Sequence, residues 1–394
     1  MSLASPTSKL SDVIVVGLGG VGSAACYWLA KHGYSVVGVD QFDPPHRMGS
    51  SHGDTRIIRK SYFEHPSYVP LLIRAYELWR DLESRIGKQI YCPTGLLEIG
   101  PADGIVLSGV KRSAREHSLA IELMSIDQAC LQYPGIRGSG DWQVVLEKDA
   151  GYLLVEQCVA AHLEQSRQLG AQIRTCQRMI RWQADSQGVL VETEREILRA
   201  KKLILCAGPW ASQVLAQYSI PLQVLRKHLY WYPCKSGSYS KERGFPCFFY
   251  DTPTGYFYGF PDHSGQGLKV ARHSGGQRLE GIPDGQHSPD DQDRKLVEAF
   301  LQSYLPEVEL QLKRWSGCYY TMTPDEHFIV DRLPDQANVV VVAGLSGHGF
   351  KFTSVLGQIA GELAIESHST LDIDFLRFHR FGESGSIGSG NHVC

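Results

Sequence analysis

Residues 12–43 read DVIVVGLGGVGSAACYWLAKHGYSVVGVDQFD, and this stretch decides the fold. Val13 to Val16 make an apolar, β-branched run of strand length. Gly17, Gly19 and Gly22 follow with G-x-G-x-x-G spacing. Val21, Ala24, Ala25, Trp28 and Leu29 then recur at i, i+3, i+4, i+7 and i+8, the period of one helical face. Gly33 is placed to stop that helix, and SVVGVD predicts a second strand ending at Asp40. Each part has its own chemistry. Gly17 allows a tight turn, Gly19 lets backbone approach a pyrophosphate, and Gly22 lets helix and strand pack closely. The helix N-terminus offers free N–H groups and a positive dipole to phosphates. Asp40 can accept hydrogen bonds from an adenosine ribose. The glycine spacing alone is weak, but strand, helix, second strand and acidic tip in order predict a bound dinucleotide. This unit does not distinguish NAD from FAD.

Two further segments carry the same alternation. AKKLILCAGPWASQVLAQY predicts strand, Gly208 and helix, and ANVVVVAGLSGHGFKFTSVLGQIAGELA repeats the pattern near the C-terminus. VEQCVAAHLEQSRQLGAQIRT predicts a helix, a stop at Gly170 and a strand. A nucleotide domain rebuilt from the start, middle and end of the chain implies a large, extended cofactor. The expected division is 1–89, 150–221 and 325–394 for the Rossmann-like cofactor domain, against 90–149 and 222–324 for a second, substrate domain. The second set is rich in Tyr, Phe, Pro and Trp, and TGYFYGFP and HLYWYP read as short strands with turns. The fold class is therefore α/β joined to a mostly antiparallel sheet that walls a pocket.

At 394 residues the chain is long enough for two domains. With 43% hydrophobic residues, 21% charged and a net charge of −3, it does not have the character of a nucleic-acid or anionic-lipid binder. Its apolar runs are far too short to span a bilayer. The lead MSLASPTSKLSD lacks the apolar core of a signal peptide, and the Gly/Ser-rich tail GESGSIGSGNHVC carries no Ser-Lys-Leu ending. The ten cysteines are scattered without a CxxC pair, the pattern of reduced thiols in a cytoplasmic protein. No metal is expected.

Four stretches then carry a resemblance. PPHRMGSSHGDTRIIRKSY, FYGFPDHSGQGLKVARHSGGQ, SGCYYTMTPDEHFIVD and AGLSGHGFKF closely resemble the monomeric sarcosine oxidase and N-methyltryptophan oxidase family. The resemblance runs from about Asp12 to Phe381 in the same order. It implies an FAD-dependent amine oxidase, expected as a monomer, whose flavin is joined to the sulfur of Cys318. Spacing alone does not select Cys318 from ten cysteines, since most buried thiols are simply small hydrophobes.

The resemblance also implies roles within these stretches. It sets Arg56 against the flavin ring and Arg59 at the substrate carboxylate, where a guanidinium fork matches two parallel hydrogen bonds. Lys351 becomes the second carboxylate-binding cation, Lys269 the oxygen-activating lysine, and His273 a neighbour of the substrate amine. If LKVA is a strand, Lys269 and His273 share one face. Thr55 and Met179 are implied as further cofactor contacts. Tyr258 and Tyr320 become pocket aromatics, able to hold an amine cation, and Phe249 a position that tunes side-chain size. Gly344, Gly347 and Gly349 let loop amides approach a cofactor edge without Cβ interference. For His348, a structural hydrogen bond and a cofactor contact are both open.

The expected reaction oxidises the C–N bond of a secondary amino acid, of sarcosine or N-methyl-L-tryptophan type, with dioxygen as acceptor. Its products are the demethylated amino acid, formaldehyde and hydrogen peroxide. GPAD, RKHLYWY and GGQ lean toward the N-methyltryptophan branch, and a cyclic imino acid such as L-pipecolate or L-proline suits the same carboxylate clamp. Two readings from other classes stand beside this: a nicotinamide-dependent dehydrogenase and a non-catalytic flavin-binding subunit.

Overall fold

In the computed structural model, residues 10–218, 220–263, 265–281 and 289–381 are described. Most of the N-terminal lead and nearly all of the Gly/Ser-rich tail lie outside the described residues. The first unit forms as its pattern predicts: a Ser11–Val16 strand, a Gly20–Lys31 helix and a Val36–Val39 strand, with Gly33 at φ +83° just past the helix.

Parallel pairing extends this unit on both sides. Val36–Val39 pairs with Gln172–Arg174, and Ser11–Val16 with Ile197–Leu205, which in turn pairs with Gln336–Ala343. These strands read as nearly continuous β-branched runs because helices cover them. The Gly20–Lys31 and Thr353–Ile365 helices pack on one face with Val13, Val15, Val340 and Val342. Antiparallel Met179–Asp185 and Gly188–Thr193 add a flap to the same sheet.

One expected helix is cut short. After Leu205 the chain makes a 3-10 turn at Gly208–Trp210 and a single helical turn at Ala211–Val214. Pro209 supports a first turn, but only Ala211 of that short helix is fully buried, so little packing lengthens it.

The second sheet has nine strands and is antiparallel except where Cys247–Thr252 runs parallel to Leu96–Pro101. HLYWYP lies in the Gln223–Tyr232 strand and TGYFYGFP in Gly255–Phe260. Period-two alternation gives this sheet two different faces. Leu97, Phe248, Tyr250 and Phe257 pack against Phe300 of the Asp291–Tyr304 helix. Leu96, Phe249, Tyr258 and Ala271 face the other way, toward the first sheet. A small sheet of Thr55–Ile58, Gly151–Leu154 and Tyr91–Cys92 sits at this junction.

Among the described residues, no helix is long and apolar enough to cross a membrane, and all nine cysteines are free.

Candidate active site

One continuous cavity runs from the carboxyl ends of the parallel strands to the inner face of the second sheet. Its near end is lined by Val16, Gly17, Val39, Asp40, Cys206 and Ala343, the residues at which those strands end. This is the crevice where open α/β sheets bind their ligands. Gly17 has φ +87°, and a Cβ there would strike the Cys206 carbonyl. A Cβ on Gly22 would strike the Gly17 carbonyl, so Gly22 serves helix–strand packing and does not itself line the cavity. The turn is therefore drawn as tightly as the motif implied. Asp40 is buried at the strand tip, its Oδ2 accepting from Leu18 N at 2.7 Å and its Oδ1 from Phe42 N at 2.8 Å. A bare-backbone turn, a helix N-terminus and a buried acid at one cavity end fit the adenosine-diphosphate half of a dinucleotide. Met179 lines the same cavity.

In the middle of the cavity, Cys318 and Arg56 meet. Arg56 Nη2 lies 3.3 Å from the Cys318 sulfur and donates to Ser50 O at 3.1 Å. Cys318 is buried on the Arg314–Met322 strand, and Arg56 projects from the Thr55–Ile58 strand. Arg56 and Arg59 thus converge from an extended strand and the residue after it, not from a helix.

At the far end lie the two cations of the expected clamp. Arg59 is nearly enclosed, and both it and Lys351 line the cavity. Arg59 already has acid partners: Nη2 donates to both oxygens of Glu64 at 2.9 Å, and Nη1 to Glu98 Oε1 at 3.1 Å. Burial alone would weaken the guanidinium charge, but Glu64 and Glu98 outweigh it and raise the Arg59 pKa. Lys351 Nζ donates to His348 O at 2.8 Å and to the Tyr62 hydroxyl at 3.4 Å. Burial, and then the nearby Arg59 charge, bring the Lys351 ammonium down to about 7.

His348 resolves toward the structural alternative. Its Nε2 lies 3.1 Å from the Glu326 carbonyl, which can only accept. Nδ1 therefore accepts from Tyr62 OH at 2.6 Å, and the ring is held between two protein partners. It still lines the cavity wall. The loop glycines have protein neighbours as well: added Cβ atoms would meet the Thr323 methyl at Gly344, the Tyr320 ring at Gly347 and Leu345 at Gly349. Close protein packing alone therefore demands bare backbone here, beyond any approach to a cofactor.

Lys269 and His273 both come from the strand LKVAR and the residue after it, yet they part company. His273 lines the cavity, with Nδ1 3.3 Å from Tyr320 OH. Burial and then the Lys227 charge hold its imidazole down to about 3, so it is neutral near pH 7. Lys269 does not reach the wall. Its Nζ donates to Gly53 O at 2.6 Å, Thr55 O at 2.7 Å and Thr55 Oγ1 at 3.1 Å, one layer behind Arg56. Thr55 lies behind the wall with it. Phe249, Tyr258 and Tyr320 line the pocket, and Phe249 and His273 sit edge to face at 5.8 Å.

Several residues escaped the sequence reading. Glu64 follows Arg59 by five positions, too far to flag from an unknown turn. Glu98, a lone acid inside the apolar run LLEIG, carried a legible signal that went unread. Lys227 is buried against the carbonyls of His273, Ser274 and Gly275 and lies 5.2 Å from the Tyr320 ring centre.

Fold and cavity together define a protein with a dinucleotide-binding crevice that runs into a pocket lined by Arg59 and Lys351. The chain belongs to the FAD dependent oxidoreductase family, whose model matches residues 12–363. FAD is thus the dinucleotide, which excludes the nicotinamide reading. The chain is 39% identical over 375 residues to monomeric sarcosine oxidase of Bacillus sp. (strain B-0618), covering 94% of this chain and 96% of that one. It is 37% identical over 378 residues to N-methyl-L-tryptophan oxidase of Escherichia coli (strain K12 / DH10B), covering 94% and 99%. These identities do not separate the two branches. Among solved structures, NikD, described as an unusual amino acid oxidase, superposes with a TM-score of 0.82 at 24% identity over 94% of this chain and 98% of that one.

Proposed function

We propose that this enzyme oxidises the C–N bond of a small secondary amino acid of sarcosine or N-methyl-L-tryptophan type, with dioxygen as acceptor. Water then hydrolyses the imine product to the demethylated amino acid and formaldehyde, and hydrogen peroxide is released. Bound FAD supplies the two-electron acceptor. The division 1–89, 150–221 and 325–394 against 90–149 and 222–324 assigns cofactor binding to one part of the chain and substrate binding to the other.

The observation that carries this reading is the placement of Arg59 and Lys351 in one cavity with Cys318 and the glycine turn. Two buried cations side by side repel each other unless anions join them. In this structure Glu64 is one such anion, bidentate on Arg59. A substrate carboxylate would take the position that Glu64 occupies on Nη2, with Lys351 as its second donor. Fixing the acid end there orients the amine toward neutral His273, within walls of Phe249, Tyr258 and Tyr320. The Cys318 sulfur, in the middle of the cavity and beside Arg56, would be the residue that holds the flavin covalently. Lys269, hydrogen-bonded to Gly53 and Thr55 behind this part of the cavity, would be the group that assists reaction with dioxygen. We read the protein as a cytoplasmic monomer.

The test is peroxide release by the yellow protein with sarcosine, N-methyl-L-tryptophan, L-proline and L-pipecolate. Turnover of either N-methyl amino acid above the cyclic acids is expected. Preference for the cyclic acids would move the assignment to the imino-acid class. No peroxide with any of them would revive the non-catalytic subunit.

A further inference from the structure

Glu98 is fully buried on the Leu96–Pro101 strand, in a row of side chains that faces the cavity. Cross-strand register aligns it with Val145 on one side and Phe249 on the other, and Phe249 leads on to Tyr258 and Ala271. Every other member of that row is uncharged. Glu98 Oε1 accepts from Arg59 Nη1, whereas Oε2 has no partner among the described residues. We propose that Glu98 is a positioning residue that holds Arg59 from beneath the clamp and takes up a proton when a carboxylate enters it. This rests on the reading of Arg59 and Lys351 as the carboxylate clamp.

The argument is one of charge and geometry. The ionisable groups facing Glu98 are Arg59 and Glu64 from the turn after the Thr55–Ile58 strand, Glu147 from the neighbouring strand, and Lys351 from the loop before the last helix. Glu147 accepts from the Lys60 and Ser61 amides at 2.8 Å and from the Ser61 hydroxyl, donors that suit a carboxylate. Arg59 already faces two acids. A substrate carboxylate that takes the Glu64 position on Nη2 still adds a third negative charge around Arg59, because Glu64 leaves the guanidinium but stays in the cavity. Glu64 lines the cavity and can turn aside, but Glu98 does not line it and is enclosed. Turning aside moves the Glu64 charge without removing it, so protonation of Glu98 is the step that lowers the local negative charge. Protonation leaves Oε1 as the acceptor for Arg59 and places the hydrogen on Oε2, where a neutral hydroxyl costs less than a share of a buried charge. Burial, opposed by Arg59 and reinforced by Glu147 and Glu64, pushes the Glu98 carboxyl up to about 8, so at pH 7 it already holds the proton and uptake on binding belongs to pH values above about 8.

The test uses the flavin-loaded enzyme and methoxyacetate, which has the acid end of sarcosine but no oxidisable amine. Calorimetry at about pH 9, in two buffers with different ionisation heats, counts protons taken up per acid bound. Glu98→Gln keeps an amide oxygen for Arg59 and removes the titration. It is expected to take up about one proton fewer than wild type, with a weaker loss of affinity above pH 8. Wild-type affinity is expected to fall by up to about tenfold per pH unit through this proton. In a Lys351→Met background the Glu98-dependent proton is expected to persist. Equal proton uptake in wild type and Glu98→Gln overturns the coupling and leaves the clamp standing. No binding of methoxyacetate to wild type at any pH overturns the clamp and the coupling with it. Infrared difference spectra of wild type give an independent reading if the variant fails to fold: acid binding must produce a new protonated-carboxyl band, and its absence overturns the proposal.

Discussion

Replacing Lys351 with Met removes one donor of the clamp and keeps most of its length. Lys351 is buried, and its nearest acceptors, the His348 carbonyl and the Tyr62 hydroxyl, are neutral. A charge-assisted hydrogen bond to a bound acid contributes about 1.5–3 kcal/mol, roughly 10- to 150-fold in Kd. That full difference belongs to pH values at which Lys351 is charged. Its pKa stands near 7 before ligand binds, and a bound carboxylate raises it. The sign follows: wild-type affinity is intact below about pH 7 and falls above it, because binding must first recover the proton. By about pH 9 that recovery costs roughly 2.7 kcal/mol, close to the whole contribution of the hydrogen bond. Titration of flavin absorbance with methoxyacetate should therefore give a wild-type to Lys351→Met ratio in Kd that is large at pH 6 and within a few-fold at pH 9. A ratio below threefold at pH 6, or one unchanged across this range, would refute the reasoning.

Two other substitutions test the cofactor side. Cys318→Ser should release its flavin into the supernatant on acid precipitation, whereas wild type keeps it with the polypeptide; retention in the variant would remove Cys318 from the linkage. Lys269→Met should slow flavin reoxidation in stopped flow far more than anaerobic reduction. It should also lower Tm, because the Gly53 and Thr55 carbonyls lose their buried donor, at about 1–3 kcal/mol per unsatisfied group. A lower Tm with unchanged oxygen kinetics would mean that Lys269 only braces the wall.

The dinucleotide half was legible because its requirements are local. Gly17, Gly22 and Asp40 act within one strand–helix–strand unit, and β-branched runs reveal covered strands at any position in the chain. The separation of Lys269 from His273 was not legible. Period two put them on one face, but the Lys269 chain is long enough to bend back to Gly53 and Thr55, which lie more than two hundred positions away in sequence. The loop glycines do line the cavity, as their expected place beside a cofactor requires, and the structure adds a reason that sequence does not show, the close packing of Thr323, Tyr320 and Leu345.

By itself, then, the order of residues determined a Rossmann-like unit, an aromatic antiparallel sheet and a set of candidate cations. Short-range sterics and hydrophobic period suffice for those. Only the tertiary structure decided which charges confront one another. Glu64 on Arg59, Glu98 beneath it and the depressed ammonium of Lys351 arise because distant segments are buried together, where desolvation makes each charge depend on its neighbours.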